Sequence, residues 1–486
     1  MTAPDTGTQV RHLLRTTPGA LSLLEASMTW MDKLYDSKQG LLRHPTHPAR
    51  HMVRESLWYA FGLVLQEQTD HPVRRRGRLE KIVSRVLDSQ YNAPDQLWHG
   101  TFKRSPQEPD PPPEARIWQD YDPNWRQFVG TLLLLLRRLE GEQRLGGLLP
   151  RIDAALQRCI EGEPGNRVPP GYTNIALMKA WLEVECGTLA SDAVHAGGLR
   201  YASAIQAVFA EHGAFPEYNS PTYYGINFFA LGLWTNFSAA LAVPGTEITA
   251  RLWSDVARFY HAGMKNLCGP WSRSYGVDMQ DYVAALGLWI WAATDRASAP
   301  FPRDLDSLQH GHDFCLGPLA AVTAAGIPDG ARQHLVDFHR ARQIRQQIST
   351  VPSRWANALI GERLMLGLET SPQSFHGTEQ YHPLTVHWLD TGNRVCWGRL
   401  RFAGSILGDL EGEQLRLRLK PDEGTQVAVI EFSHEVMLSG QVARCSGLAM
   451  TLVTDGTISA RGNRLQILLA DNPAESAVAI TCEVSP

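Results

Sequence analysis

The sequence has no long apolar run. Its best, "FVGTLLLLL", is stopped by Arg137 and Arg138, well short of the ~18 residues that a membrane span needs. The seven cysteines are scattered, odd in number and without CxxC spacing, which argues against a zinc ribbon or a disulfide framework and for buried thiols in a reducing compartment. Neither sign of charge dominates. Lys and Arg number 46 against 50 Asp and Glu, a net charge of −4, so nothing general points to nucleic acid or an anionic membrane as partner. The run "RRRGR", Arg74 to Arg78, is short and reads as a solvated helix end. A P-loop, a Rossmann glycine fingerprint and a GxSxG elbow are all missing, which leaves nucleotide-driven, dinucleotide and serine-hydrolase chemistry without footing. The first twenty residues lack the basic segment, apolar core and cleavage site of a secretory signal. The expectation is a cytoplasmic protein with no cofactor.

What is present, from residue 10 to about 370, is a succession of amphipathic stretches of helical length separated by Gly-, Pro- and Asn-rich loops. "MVRESLWYAFGLVLQ", "WRQFVGTLLLLLRRLE", "TNIALMKAWLEVECG", "INFFALGLWTNFSAAL" and "QDYVAALGLWIWAAT" are examples, with apolar residues at i, i+3, i+4 and i+7. After "ETSPQSFHGTEQYHP" the texture changes. "LTVHWLD", "RVCWGRLRF", "QLRLRLK", "TQVAVIEFS" and "AVAITCEVS" alternate or are β-branched and read as strands. The expected fold is mainly α with a C-terminal all-β domain: an (α/α) toroid, an incomplete barrel of helical hairpins over residues 1–375, followed by an antiparallel β-sandwich over 376–486. An open helical solenoid is the alternative.

Four loops between helices are rich in Trp, Tyr, His, Asn and Arg: "YNAPDQLWHGTFKRSP" (91–106), "IWQDYDPNWRQF" (117–128), "FPEYNSPTYYG" (215–225) and "CGPWSRSYGVDMQDY" (268–282). Flat aromatic faces beside hydrogen-bonding groups suit carbohydrate, whose ring faces stack while its hydroxyls need polar partners. Trp98, His99, Trp125, Arg126, Glu217, Asn219, Tyr224, Trp271 and Tyr275 are therefore candidate substrate-binding residues. Most of the fourteen tryptophans, Trp289 and Trp291 among them, read as core.

The stretch "GAFPEYNSPTYYG" resembles the segment of the heparinase II/III and alginate-lyase superfamily of polysaccharide lyases in which an acidic residue and a serine precede a catalytic tyrosine. Tyr223, three residues after Ser220, is the better match and Tyr224 the close alternative, although Ser220 lies one residue farther from Glu217 than the pattern has it. Members also carry an asparagine or histidine on a helix one hairpin upstream, and Asn174 in "GYTNIALMKAW" stands at that separation. The usual histidine after it is Ile175 here. The resemblance further implies a toroid followed by a β-domain, and a histidine near the start of that domain, where His376 lies.

It also implies β-elimination at a uronate. Removing the proton beside a carboxylate creates an unstable enolate-like dianion, and a neutral amide such as Asn174 donating to the carboxylate lowers the cost, by roughly 3 kcal/mol for a preorganised donor. A phenol between carbon-bound proton and glycosidic oxygen could serve as base and then acid. With an ordinary pKa of about 10, Tyr223 needs a cation or histidine to bring it down. Arg273 and Arg126 are the candidate cations, with His99 and His376 as bases or carboxylate partners. The catalytic set is then Asn174, Tyr223, His376 and Arg273.

Each has a structural alternative. Tyr223 could be a packed loop tyrosine and Asn174 a helix N-cap, while Arg126 could pair with Asp120 or Asp122, and Arg273 with Asp278. His376, His382 and His387 with Glu379 match no strong ligand spacing, and strand alternation would put His382 and His387 on opposite faces of one regular strand. No metal is expected. The rival functions are an inverting glycoside hydrolase using two carboxylates among Asp120, Asp122, Glu217 and Asp278, a non-catalytic glycan-binding protein, and a lyase or cyclase of specialised metabolism.

Overall fold

The computed structural model describes residues 5–70, 75, 77–141, 143–375, 379–469 and 475–485. Among them are thirteen α-helices: α1 (Thr6–Thr16), α2 (Ala20–Leu34), α3 (Val53–Glu67), α4 (Arg78–Leu87), α5 (Trp125–Glu140), α6 (Leu149–Glu161), α7 (Thr173–Ala190), α8 (Asp192–His212), α9 (Tyr224–Phe237), α10 (Ala242–Phe259), α11 (Ala285–Ala293), α12 (Gly317–Thr323) and α13 (Asp329–Val336). The chain divides into two compact units. The first takes Met1–Ala210, Tyr224–Arg251 and Ala285–Ile327, the second Glu211–Tyr223, Leu252–Ala284 and Pro328–Pro486.

In the first unit the helices are of two kinds. α4 buries Leu79, Ile82, Val83, Val86 and Leu87, and α6 buries Ile152, Ala155, Leu156 and Cys159, one stripe each. α11 is buried along its whole length, and α9 everywhere but Thr235 and Asn236. A helix apolar on all sides has to be enclosed by neighbours, whereas a single stripe suits a surface helix. The enclosed helices pack in order: α2 on α3, α3 on α5, α5 on α7, α7 on α9, α9 on α11 and α12, and these two on α2 again. A small antiparallel sheet of β1 (Tyr35–Asp36), β2 (Leu41–Arg43) and β3 (His51–Met52) precedes α3. No helix among the described residues is long and apolar enough to cross a membrane. All seven cysteines are buried and free.

The second unit holds a short hairpin of β4 (Tyr260–His261) and β5 (Asn266–Leu267), and a 14-stranded antiparallel sheet. Its strands are β6 (Arg342–Ser349), β7 (Arg354–Ile360), β8 (Leu364–Phe375), β9 (Leu384–Leu389), β10 (Val395–Arg401), β11 (Gly404–Glu411), β12 (Gln414–Pro421), β13 (Val427–Phe432), β14 (Met437–Ser439), β15 (Val442–Cys445), β16 (Leu448–Thr454), β17 (Thr457–Arg461), β18 (Arg464–Leu468) and β19 (Ser476–Val484). They run in the order β14-β15-β16-β19-β12-β11-β8-β9-β10-β13-β18-β17, with β7 paired onto β8 and β6 onto β7. Alternation sets the faces. In β12, Leu415, Leu417 and Leu419 are buried while Arg416, Arg418 and Lys420 are not, and the inward residues of β8, β9, β12, β13, β16 and β19 meet in one core.

Two features depart from the expected division at 375/376. The sheet begins at Arg342, because in "RQIRQQIS" the apolar residues Ile344 and Ile348 stand four apart and mimic a helical stripe. The segments 211–223 and 252–284, read as loops and helix ends of the α-domain, belong to the compact unit that contains the sheet.

β9 is buried on both faces. Leu384, Val386 and Trp388 enter the core, while Thr385 and His387 are covered by the loop that follows β5. That covering requires glycine on both sides: a Cβ on Gly367 of β8 would lie 2.1 Å from the Gly269 carbonyl carbon, and one on Gly269 would lie 2.2 Å from Thr385 Oγ1. Gly367→Ala should therefore cost about 3 kcal/mol in equilibrium urea unfolding, the upper end of the overpacking range, because the clash is with backbone. Gly330→Ala, where the added Cβ meets nothing within 4 Å, should be neutral or stabilise by up to ~1 kcal/mol.

Candidate functional site

The loops 215–223 and 268–282 meet within the second unit. Asn219 adopts a left-handed backbone, φ +49°, which asparagine tolerates better than most residues. Its carboxamide donates to the carbonyls of Cys268 (2.8 Å) and Pro270 (2.9 Å). Ser220 Oγ accepts the Tyr223 N–H at 3.0 Å and donates to the Arg273 carbonyl at 2.5 Å. The Tyr275 N–H donates to Thr222 Oγ1 at 3.2 Å. Two short loops are thereby fixed against each other through side chains as well as backbone.

The segment ahead of β9 joins them. Trp271 and His382 exchange backbone hydrogen bonds of 3.0 Å in each direction, and the Ser274 N–H donates to the Gln380 carbonyl at 2.7 Å. His387 Nε2 donates to the Val277 carbonyl at 2.8 Å. His382 lies before the first residue of β9, so the alternation expected of one regular strand does not apply. Both imidazoles approach Trp271, with ring centroids 5.8 Å and 5.4 Å from its indole.

This framework holds Arg273 by all three of its nitrogens. Nη2 donates to the Tyr223 hydroxyl at 2.7 Å, Nη1 to Glu217 Oε1 at 2.9 Å, and Nε to Gln380 Oε1 at 3.1 Å. The guanidinium carbon stands 4.0 Å from the Tyr223 ring centroid, a cation–π distance. The Tyr223 and Tyr275 hydroxyls are 3.2 Å apart, and Tyr275 is 37% exposed. Arg273 pairs with Glu217, not with Asp278, whose carboxylate accepts from Asn266 Nδ2 at 2.9 Å.

The electrostatics reverse one expectation. Burial raises the Tyr223 pKa and neighbouring Tyr275 adds to the rise; Arg273 acts in the opposite direction and is outweighed. The phenol is therefore neutral at physiological pH. Burial works against the charge on Arg273 as well, but Tyr223 and Glu217 overcome it and its pKa lies above the ordinary value. The guanidinium stays charged.

Other candidates serve as structure. Trp271 is fully buried, which removes it as a stacking platform. In the first unit Trp98 packs on Tyr121, centroids 5.9 Å apart, in a small cluster with Tyr91. Trp125 opens α5 beneath the Arg54 guanidinium, 5.0 Å from its ring. Arg126 is fully buried and donates to the carbonyls of His99 (2.8 Å), Pro123 (3.3 Å) and Leu97 (2.6 Å), with Glu163 at 3.9 Å in place of Asp120 or Asp122. It pins the loops 91–106 and 117–128 together. His99 Nδ1 accepts the Ala93 N–H at 3.0 Å, and burial lowers its pKa. Tyr224 is buried as the first residue of α9. Asn174 is buried in the first turn of α7, whose N-cap is Tyr172, so the capping alternative for Asn174 falls away. His376 lies outside the described residues. No group of three His, Cys, Asp or Glu among the described residues could hold a metal ion.

Sequence reading missed Gln380 and Thr222. Gln380 lies in the "HGTEQYHP" segment, but its meeting with Arg273 spans 107 positions, and no local pattern signals that.

The family DUF8769, described as a domain of unknown function, matches residues 21–325. The chain belongs to this family. No curated protein matches it. The X-ray structure of the Streptomyces coelicolor A3 chondroitin AC lyase in complex with chondroitin sulphate matches this DUF8769 chain with a TM-score of 0.45 and 12% identity, over 100% of this chain and 80% of that one. A mutant of that lyase matches with a TM-score of 0.42 and 11% identity, over 98% and 83%. Neither match is close enough to define fold or activity.

The two imidazoles behind the site give the DUF8769 chain an acid-labile point. Burial lowers the pKa of His387 to about 4 and of His382 to about 3, against an ordinary ~6.5 in the unfolded chain. Above pH ~6.5 both states hold neutral imidazoles and the stability is complete. Below it the unfolded chain takes up protons that the fold excludes, and stability falls until pH passes the folded values. Unfolding free energies from urea titrations between pH 7 and pH 4 should show a loss of a few kcal/mol, and His382→Phe should lose less over the same interval.

Proposed function

We propose that this protein is a carbohydrate-active carbon–oxygen lyase that cleaves a uronate-containing oligosaccharide, or a related small substrate, by β-elimination. One observation carries the reading: a half-buried phenol, Tyr223, with its hydroxyl 2.7 Å from a charged guanidinium and 3.2 Å from a second, exposed phenol. The expected helical toroid and β-sandwich belong to the same reading. They are supported by the order of helix contacts that returns to α2 and by the single core of the sheet.

Elimination removes the proton from the carbon beside the carboxylate and breaks the bond from the next carbon to the glycosidic oxygen. A carbon–carbon double bond forms, the departing oxygen receives a proton, and no water is consumed. Tyr223, neutral at rest, is a proton donor as it stands and suits protonation of the leaving oxygen. To take the carbon-bound proton it must first ionise. Arg273 and the Tyr275 hydroxyl are the donors that would hold the phenolate. Glu217 and Gln380 engage the remaining nitrogens of Arg273 and fix its orientation.

A second reading, glycan binding without turnover, is favoured by the fact that the two partners of the Tyr223 hydroxyl, Arg273 and Tyr275, are not bases. Incubation with a panel of uronate oligosaccharides, followed by mass and ultraviolet absorbance, separates the possibilities. Elimination yields products without added water and with an absorbing unsaturated uronate. A mass gain of one water would establish a hydrolase, and unchanged oligosaccharide that still binds would establish a binding protein. Tyr223→Phe should lower kcat by roughly 10²–10⁴-fold with little change in KM, while Tyr224→Phe retains activity. If phenolate is the base, kcat/KM of the wild type should climb about tenfold per pH unit from pH 6 to 9. A flat profile would confine Tyr223 to the acid role.

A further inference from the structure

Tyr275 is an exposed phenol on a fixed backbone. The residue is 37% open to solvent, yet its N–H donates to Thr222 Oγ1 at 3.2 Å, and Ser274 before it is anchored from several sides. The Ser274 N–H donates to the Gln380 carbonyl at 2.7 Å, its Oγ donates to the Gly276 carbonyl at 2.6 Å, and the buried Tyr282 hydroxyl donates to that Oγ at 2.7 Å. The Tyr275 ring meets Tyr223 edge to face, with centroids 6.3 Å apart, and the two hydroxyls stand 3.2 Å from each other.

The two phenols differ in their access to water. Tyr223 is half-buried, and burial holds it neutral, whereas solvent reaches Tyr275. A charged oxygen is less costly where water can solvate it. The other groups that meet at Arg273 are poor bases: Glu217 is held in an ion pair at 2.9 Å, and Gln380 does not titrate. When the two phenols lose their first proton, the charge therefore settles on Tyr275. The Tyr223 hydroxyl then donates to it across the 3.2 Å contact, and the Arg273 guanidinium interacts electrostatically with both.

We infer that Tyr275 is the base of the elimination and Tyr223 its acid. The assignment rests on the lyase reading above. The Tyr275 phenolate takes the proton from the carbon beside the carboxylate. The electrons of that carbon–hydrogen bond form the double bond, the electrons of the broken carbon–oxygen bond leave with the glycosidic oxygen, and Tyr223 hands its proton to that oxygen. Tyr275 is now neutral and Tyr223 a phenolate, and the Tyr275 proton crosses the contact between them to restore the starting pair. No water is consumed. The half-buried phenol never has to ionise ahead of the substrate.

The test combines kinetics on whichever oligosaccharide of the uronate panel is cleaved with a titration that needs no substrate. Tyr275→Phe should lower kcat roughly 10²–10⁴-fold with KM little changed. Tyr275→His should recover part of the loss, with kcat/KM levelling off above pH ~6.5 because imidazole replaces phenol as the base; a merely structural Tyr275 would leave the pH profile where it was. In protein labelled at tyrosine Cζ, NMR spectra from pH ~7 to ~12 should show the signal missing from Tyr275→Phe moving first, and the signal missing from Tyr223→Phe moving only at higher pH. In Tyr223→Phe the Tyr275 signal should move at a higher pH than in the wild type, since its hydrogen-bond donor is gone. Elimination by Tyr275→Phe within about threefold of the wild-type rate, or a Tyr223 that ionises before Tyr275, overturns the assignment and leaves the lyase reading standing. Failure to eliminate from any member of the panel overturns both.

Discussion

The close approach of Gly269 to Gly367 is the contact on which the candidate site depends. With no Cβ on either residue, the loop after β5 lies directly on the outer face of β8 and β9. Trp271 can then exchange backbone hydrogen bonds with His382, and Ser274 can bond Gln380. Arg273 stands between those two anchors, so its guanidinium reaches Tyr223, Glu217 and Gln380 together. A side chain at either glycine would lift the loop from the sheet and separate these groups. The chemistry of the site is therefore tied to a packing constraint several residues away from it.

Desolvation decides the charge states around this contact. Tyr223 touches a cation, but its burial is the larger effect and the phenol stays protonated. His382 and His387 remain neutral for the same reason. Arg273 keeps its charge because a carboxylate and a hydroxyl share its nitrogens. A neutral donor beside a fixed positive charge suits a reaction in which negative charge develops on the substrate. The DUF8769 match ends at residue 325, before β6, whereas Gly367, Gln380 and His382 follow it. The loops of the second unit that fall within the matched region are thus completed by a sheet that lies beyond it.

Helix existence was legible along most of the α-region. "WRQFVGTLLLLLRRLE" coincides with α5, and "TNIALMKAWLEVECG" begins where α7 begins, because an apolar stripe at helical spacing is a local property. Strands with strict alternation, such as "QLRLRLK" in β12, were equally plain. β6 was not, since the two apolar residues of its inward face stand at helical spacing, and β7 and β8, which also precede residue 376, were not read as strands either. The aromatic loops were found as loops, yet their individual tryptophans were not sorted. Trp98, Trp125 and Trp271 are buried and Trp118 is exposed, a distinction that depends on which side of each loop meets another segment.

By itself the sequence determined most of the longer helices and the strictly alternating strands, the polar aromatic loops, and Tyr223 as a candidate with Arg273 or Arg126 as its cation, since residue type and spacing are written locally. Tertiary structure alone decided that Glu217 rather than Asp278 faces Arg273, that Gln380 joins them, that Arg126 is a pin between loops, and that the Tyr223 pKa rises instead of falling. Those outcomes depend on distances between segments remote in the chain and on how much water their meeting excludes, and neither quantity is carried by any short stretch of residues.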